Sequence, residues 1–149
     1  MSTSPPPDPT FTVFTEIGII SQLSQNALER ALPDGLRMAH FNVLTHFVRR
    51  GQSQNPTELA KAFQVTKGAM TNTLNRLSGR GLVQIRANAN DGRGKRVFIT
   101  DAGRAMHGRA LAAITPVMHE ALSTFGQAEF EAALPFLARL RETLDSARD

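Results

Sequence analysis

Gly68, Thr71, Asn72 and Asn75 fall at i, i+3, i+4 and i+7, so in a helix they form one narrow ridge of small polar groups. An Asn amide bonds an adenine edge bidentately, and a Thr methyl meets a thymine methyl. Gly68 removes a side chain where a backbone would enter a groove. Lys67 and Arg76 flank the ridge and suit phosphate oxygens. Thr66 stands where a helix N-cap belongs, and the N–H groups behind it can hold a phosphate. The chemistry these residues offer is recognition of duplex DNA rather than bond making.

Nothing in the sequence assembles a reaction centre. The histidines are His40, His46, His107 and His119, spread over separate helical stretches. None sits in an H-E-x-x-H or comparable ligand spacing, and His119-Glu120 is only a pair. Metal sensing through them is the lesser alternative, and no cofactor or metal site is expected. The chain contains no cysteine, which excludes disulfides, thiolate metal sites and cysteine redox sensing. His40 and Phe47 share a helical stretch and could line a small-molecule pocket.

Charge placement agrees with a phosphate-binding role. From Lys61 to Arg109 there are ten basic residues against Asp91 and Asp101, a net +8, whereas the whole chain carries +4. A basic middle between acidic ends marks a nucleic-acid surface. RNA is disfavoured because the A-form major groove admits no helix, and the chain has no Trp or Tyr to stack on bases.

The ridge needs elements to aim it. Asn55-Pro56-Thr57-Glu58 combines a cap, a first-turn proline and a capping-box acid, and opens a helix to about Phe63 with Leu59, Ala60 and Phe63 buried. Gln64-Val65 is the turn. Thr66 starts the next helix, Lys67 to about Gly79, with Met70, Thr73, Leu74 and Leu77 inward and Gly81 as its left-handed stop. Leu82–Ala87 and Arg96–Thr100 alternate as short strands through Val83, Ile85, Val97 and Ile99. Between them lies a basic, glycine-rich loop with an Asp-Gly turn, bringing Arg93, Lys95 and Arg96 behind the ridge. Such a tip can enter a minor groove. Asp91 is expected to brace the loop, with Arg76 as its partner.

The flanks are helical. Phe11 to Ala31 carries an apolar stripe through Phe14, Ile17, Ile20, Leu23 and Leu28, with Val13 and Ile19 hinting at a second buried face. Pro33-Asp34-Gly35 breaks it. Met38 to Arg50 follows, with Phe41, Leu44, Phe47 and Val48 inward and Gly51 as C-cap. Thr100-Asp101 starts a helix to about Thr124 that contains Pro116, and Gln127 to Ala147 is the last, lined by Phe130, Leu134, Leu137, Leu140 and Leu144. The first and last helices hold more apolar surface than one such domain can cover, so an isologous homodimer is expected.

These residues resemble the MarR family of bacterial winged-helix regulators. Glu58-Leu59-Ala60, Thr66-Lys67-Gly68, Leu74-Asn75-Arg76-Leu77 and Arg80-Gly81-Leu82-Val83 track its ELA…SKS…LVDRLEARGLV run. Asp91-Gly92-Arg93 is similar to its D-x-R wing motif, Phe98 to Gly103 to its LTEAG helix start, and Gly35 to Phe41 to its L-T-x-x-Q-F segment. The resemblance implies a homodimer on a pseudo-palindromic operator, usually a repressor, released by a small aromatic ligand seated between dimerisation helices and DNA-binding lobe. It implies DNA contact by Thr66, Lys67, Gly68, Thr71, Asn72, Asn75 and Arg76 from the helix and by Arg93 from the wing. Asn72 stands where the family often has Arg, and Arg37 where it has a capping Thr.

The expected architecture is α+β, mostly α: a winged helix-turn-helix with N- and C-terminal dimerisation helices. Residues 1–10 form a disordered tail and 11–149 a single domain, with a DNA-binding lobe at 36–103 and dimerisation helices at 11–32 and 104–147. The start has neither the charge nor the apolar core of a signal peptide, and no run is long enough to span a membrane. A cytoplasmic transcriptional regulator follows, with a protein-docking winged helix as the alternative.

Overall fold

The structure is a computed structural model that describes residues 4–51, 53–87 and 94–148. It divides into two compact units, Met1–Thr115 and Pro116–Asp149. The elements run α1 (Pro9–Ala31), a 3-10 turn (Pro33–Gly35), α2 (Met38–Arg50), α3 (Pro56–Phe63), α4 (Lys67–Gly79), β1 (Val83–Ala87), β2 (Lys95–Ile99), α5 (Asp101–Ala121) and α6 (Gln127–Ser146).

Helix α1 begins at Pro9, ahead of the expected Phe11, because Asp8 Oδ1 accepts the Thr10 N–H at 2.7 Å and Pro9 suits a first turn. Helix α3 is capped by Asn55, whose Oδ1 accepts the Glu58 N–H at 2.7 Å while its Nδ2 donates to Glu58 Oε1 at 3.0 Å. Gln64 closes α3 in the left-handed region at φ 53°. Thr66 Oγ1 then accepts the Ala69 N–H at 3.1 Å and starts α4. Two consecutive helices are thus set by one tight turn.

Strands β1 and β2 pair antiparallel, Val83 opposite Ile99 and Ala87 opposite Lys95. Gln54 adds a bridge to Val97, a rudimentary third strand. Thr100 joins wing to helix: its hydroxyl donates to Gly81 O at 2.6 Å and accepts the Gly103 N–H at 3.0 Å. Gly103 is required by proximity. A Cβ there would lie 2.1 Å from Leu82 O and 2.8 Å from Ile99 Cγ1.

The core lies in the first unit, where Leu36, Leu44, Phe47, Leu59, Leu74, Leu77 and Val97 are almost fully buried. Three expectations shift. Val48 is exposed, since α2 turns it away from the core, and Phe63 and Thr73 are only half-buried. Helix α1 has no buried residue; its stripe residues Phe11, Ile20 and Leu23 face outward, Ile19 is exposed and Val13 half-buried. In the second unit α6 likewise buries none of its residues, and Phe125 packs edge-on to Phe130 at 6.1 Å.

Candidate nucleic-acid interface

With Met70, Leu74 and Leu77 buried, helical spacing turns Gly68, Asn72, Asn75 and Arg76 outward with Thr71 at their edge; Lys67 opens the helix, and all six are exposed. Thr66 is exposed beside them as the N-cap. Thr73 Oγ1 donates to Ala69 O at 3.1 Å, so that hydroxyl serves its own helix. A Cβ on Gly68 would meet nothing within 4 Å. Packing within the chain therefore gives no reason for glycine at this position.

The wing residues separate. Lys95 is exposed at the start of β2. Arg96, taken from sequence as a DNA contact, is half-buried, with Nε donating to Ser53 Oγ at 2.9 Å and Nη2 to Ser53 O at 2.8 Å. Its guanidinium is committed to the loop before α3. On β1, Arg86 lies 4.9 Å from the Phe98 ring centre and donates to Gln84 Oε1. Arg93 lies outside the described residues, as does Asp91, so the expected Asp91–Arg76 brace of the loop does too.

The two proposed pocket residues have other surroundings. Phe47 is core, 1% exposed. His40 is buried and its Nδ1 accepts the Arg37 backbone N–H at 3.2 Å, which supplies the α2 cap that Arg37 itself cannot make. Burial, aided by the Arg76, Arg80 and Arg37 charges and opposed by Glu29, holds His40 below its ordinary pKa of 6.5. Burial also lowers His107, which stacks on Phe41 at 5.3 Å and sits 3.1 Å from Thr45 Oγ1. The Thr45 hydroxyl also reaches Phe41 O at 2.9 Å.

A cavity of about 310 Å³ opens elsewhere in the first unit, between α1, α2 and the helix-turn-helix. Gln25, Met38, Asn42, Phe63, Met70 and Thr73 are among its lining, and neither His40 nor Phe47 is. The clues to it in the sequence are Phe63 on the inward side of α3 and Met70 and Thr73 on that of α4. In the second unit Met118, His119, Leu122, Phe125 and Phe130 line a hollow of about 460 Å³. Among the described residues no three of His, Asp and Glu gather to hold a metal ion, and no helix is long and apolar enough to cross a membrane.

A capped helix-turn-helix followed by an antiparallel wing defines the winged helix-turn-helix class. The MarR family model matches residues 34–94. Wild-type MarR from E. coli in its apo form superposes with a TM-score of 0.73 at 27% identity, covering 85% of this chain and 95% of that one. A mutant E. coli MarR complexed with operator DNA gives 0.70 at 27%, covering 87% and 93%. A structure described as the multiple antibiotic resistance repressor MarR gives 0.69 at 30%, covering 85% and 91%. The chain belongs to the MarR family of transcriptional regulators.

Proposed function

We propose that the protein binds double-stranded DNA sequence-specifically, as a homodimer on a pseudo-palindromic operator, and acts in the cytoplasm as a repressor released by a small aromatic ligand. The observation that carries this reading is the outward strip of α4, where Thr71, Asn72 and Asn75 are exposed together between Lys67 and Arg76. Thr66, Gly68, Lys95 and Arg93 complete the contact set. The operator complex of the E. coli relative supports it.

The homodimer is supported by apolar residues exposed on helices of both units, Ile19, Ile20 and Leu23 on α1 and Phe130, Leu134 and Leu144 on α6. Isolated exposed apolar residues are ordinary, but repeated ones along a helix face call for a partner. A second copy would cover both. The effector reading is supported by the cavity of about 310 Å³, whose thioethers and Phe63 suit an aromatic ring and whose Asn42 and Thr73 suit a polar substituent. It reaches α4, so an occupant would bear on the helix that carries the strip.

Selection of bound fragments from the organism's own DNA, followed by titration in rising salt, tests the reading. Specific retention with a loss of ~10³-fold or more between roughly 50 and 200 mM salt is expected of a surface making six or more phosphate contacts. Retention of no fragment in dilute buffer would refute it. A salt-insensitive protein complex would favour a docking module instead.

A further inference from the structure

Ser53 and Gln54 form the joint between the wing and the helices. Gln54 N donates to Val97 O at 3.3 Å and Val97 N to Gln54 O at 2.8 Å. Gln54 Oε1 lies 2.9 Å from His46 Nε2, and the His46 ring meets Phe63 edge-on at 5.4 Å. Arg96, adjacent to Val97, grips Ser53 through both its hydroxyl and its carbonyl. Two consecutive residues of β2 therefore hold two consecutive residues of the loop that leads into α3.

Resting on the DNA-binding reading above, we propose that Arg96 is a positioning residue that fixes the wing against the helix-turn-helix, and that Lys95 makes its phosphate contact only while Arg96 holds Ser53. The planar guanidinium reaches two acceptors from one rigid group, which an ammonium cannot reproduce. A phosphate contact is different: there a lysine serves as a point charge. Lys95 shares a strand face with the buried Val97 but stands at the exposed first position of β2, whereas Arg96, on the alternate face, turns to Ser53.

The test is operator titration of the full chain carrying Arg96→Ala, Arg96→Lys, Ser53→Ala, Lys95→Ala and the Lys95/Arg96 double change, with amide hydrogen exchange on the free protein. Arg96→Ala and Arg96→Lys should both lose roughly tenfold or more in affinity, the scale of a charge-assisted hydrogen bond. Lys95→Ala should weaken binding in the parent and cost nothing further beside Arg96→Ala. A role in folding alone, or an independent phosphate contact, would leave the two changes additive. Exchange at the Gln54 and Val97 amides should quicken in Arg96→Ala and, less so, in Ser53→Ala.

Arg96→Lys binding like the parent, or additive losses, would overturn the proposal. If the Arg96 variants do not fold, Ser53→Ala beside Lys95→Ala carries the same cycle. If the parent retains no DNA, the functional reading fails, and amide exchange still decides whether Arg96 fixes the joint: unchanged rates would overturn it.

Discussion

The imidazole Nδ1 of His40 accepts the backbone N–H of Arg37 at 3.2 Å. A protonated ring has no lone pair there, so the first turn of α2 is closed only by the neutral form. His40 and His107 are both held below 6.5 by burial. The unfolded chain then binds more protons than the folded one at mildly acid pH, and stability falls as pH drops. The stabilisation is present in full above about pH 6.5, the unfolded value, and is lost as pH falls through the lowered folded values. Urea unfolding midpoints measured from pH 8 to 5 should decline below that point. His40→Asn, which retains an acceptor but no titrating group, should flatten the decline. An unchanged pH profile in that variant would remove His40 from the explanation.

Two glycines on α5 make opposite predictions. Gly103→Ala would drive a Cβ into Leu82 O and Ile99 Cγ1, and the strand ends would have to move. The cost should be at least ~1–3 kcal/mol, as for overpacking generally. Gly108 is exposed and a Cβ there meets nothing within 4 Å. Gly108→Ala should gain up to ~1 kcal/mol from helix propensity. Thermal unfolding of the two variants should therefore shift to opposite sides of the parent.

Local chemistry explains why so much of the helix-turn-helix was legible in the sequence. Asn55 and Thr66 act as caps within a few residues of the groups they satisfy, and the alternation of Val83, Ile85, Val97 and Ile99 is a property of each strand alone. The tie between Arg96 and Ser53 has no signature in the sequence, because the two lie 43 positions apart with no periodic signal to connect them. His40 did carry a signal: it occupies the third helical position, where a capping-box acid would stand. The stripe on α1 was visible, but periodicity says only which side is apolar. It does not say what covers that side: Leu28 packs against the core of the first unit, while Phe11, Ile20 and Leu23 are exposed.

The caps themselves can be weighed. Thr66 Oγ1 serves a single amide, that of Ala69, at the start of the helix that carries the exposed strip. Thr66→Ala should cost ~1 kcal/mol of stability, and Thr66→Ser much less. Since the first turn of α4 would fray, DNA affinity should fall with Thr66→Ala by more than the loss of one neutral contact, and should recover with Thr66→Ser. Equal affinity for the two variants would mean that the cap has no part in holding the strip.

Thr71 and Asn72 should govern selectivity rather than strength. Both are exposed on α4, Asn72 across the helix from Leu74 and Leu77 and Thr71 at the edge of the same strip. A side chain that reads a base edge contributes ~1–3 kcal/mol of discrimination, while a phosphate contact contributes to every sequence alike. Thr71→Ala and Asn72→Ala should therefore bind mixed DNA nearly as well as the parent but lose about 5- to 150-fold of preference for the selected site, as that energy implies. Lys67→Ala should do the reverse, weakening all sequences and reducing the salt slope by about one unit. Competition titrations with selected and scrambled duplexes at two salt concentrations separate the two behaviours. If the Thr71 and Asn72 variants stayed as selective as the parent, the reading surface would have to lie elsewhere on the wing or on α3.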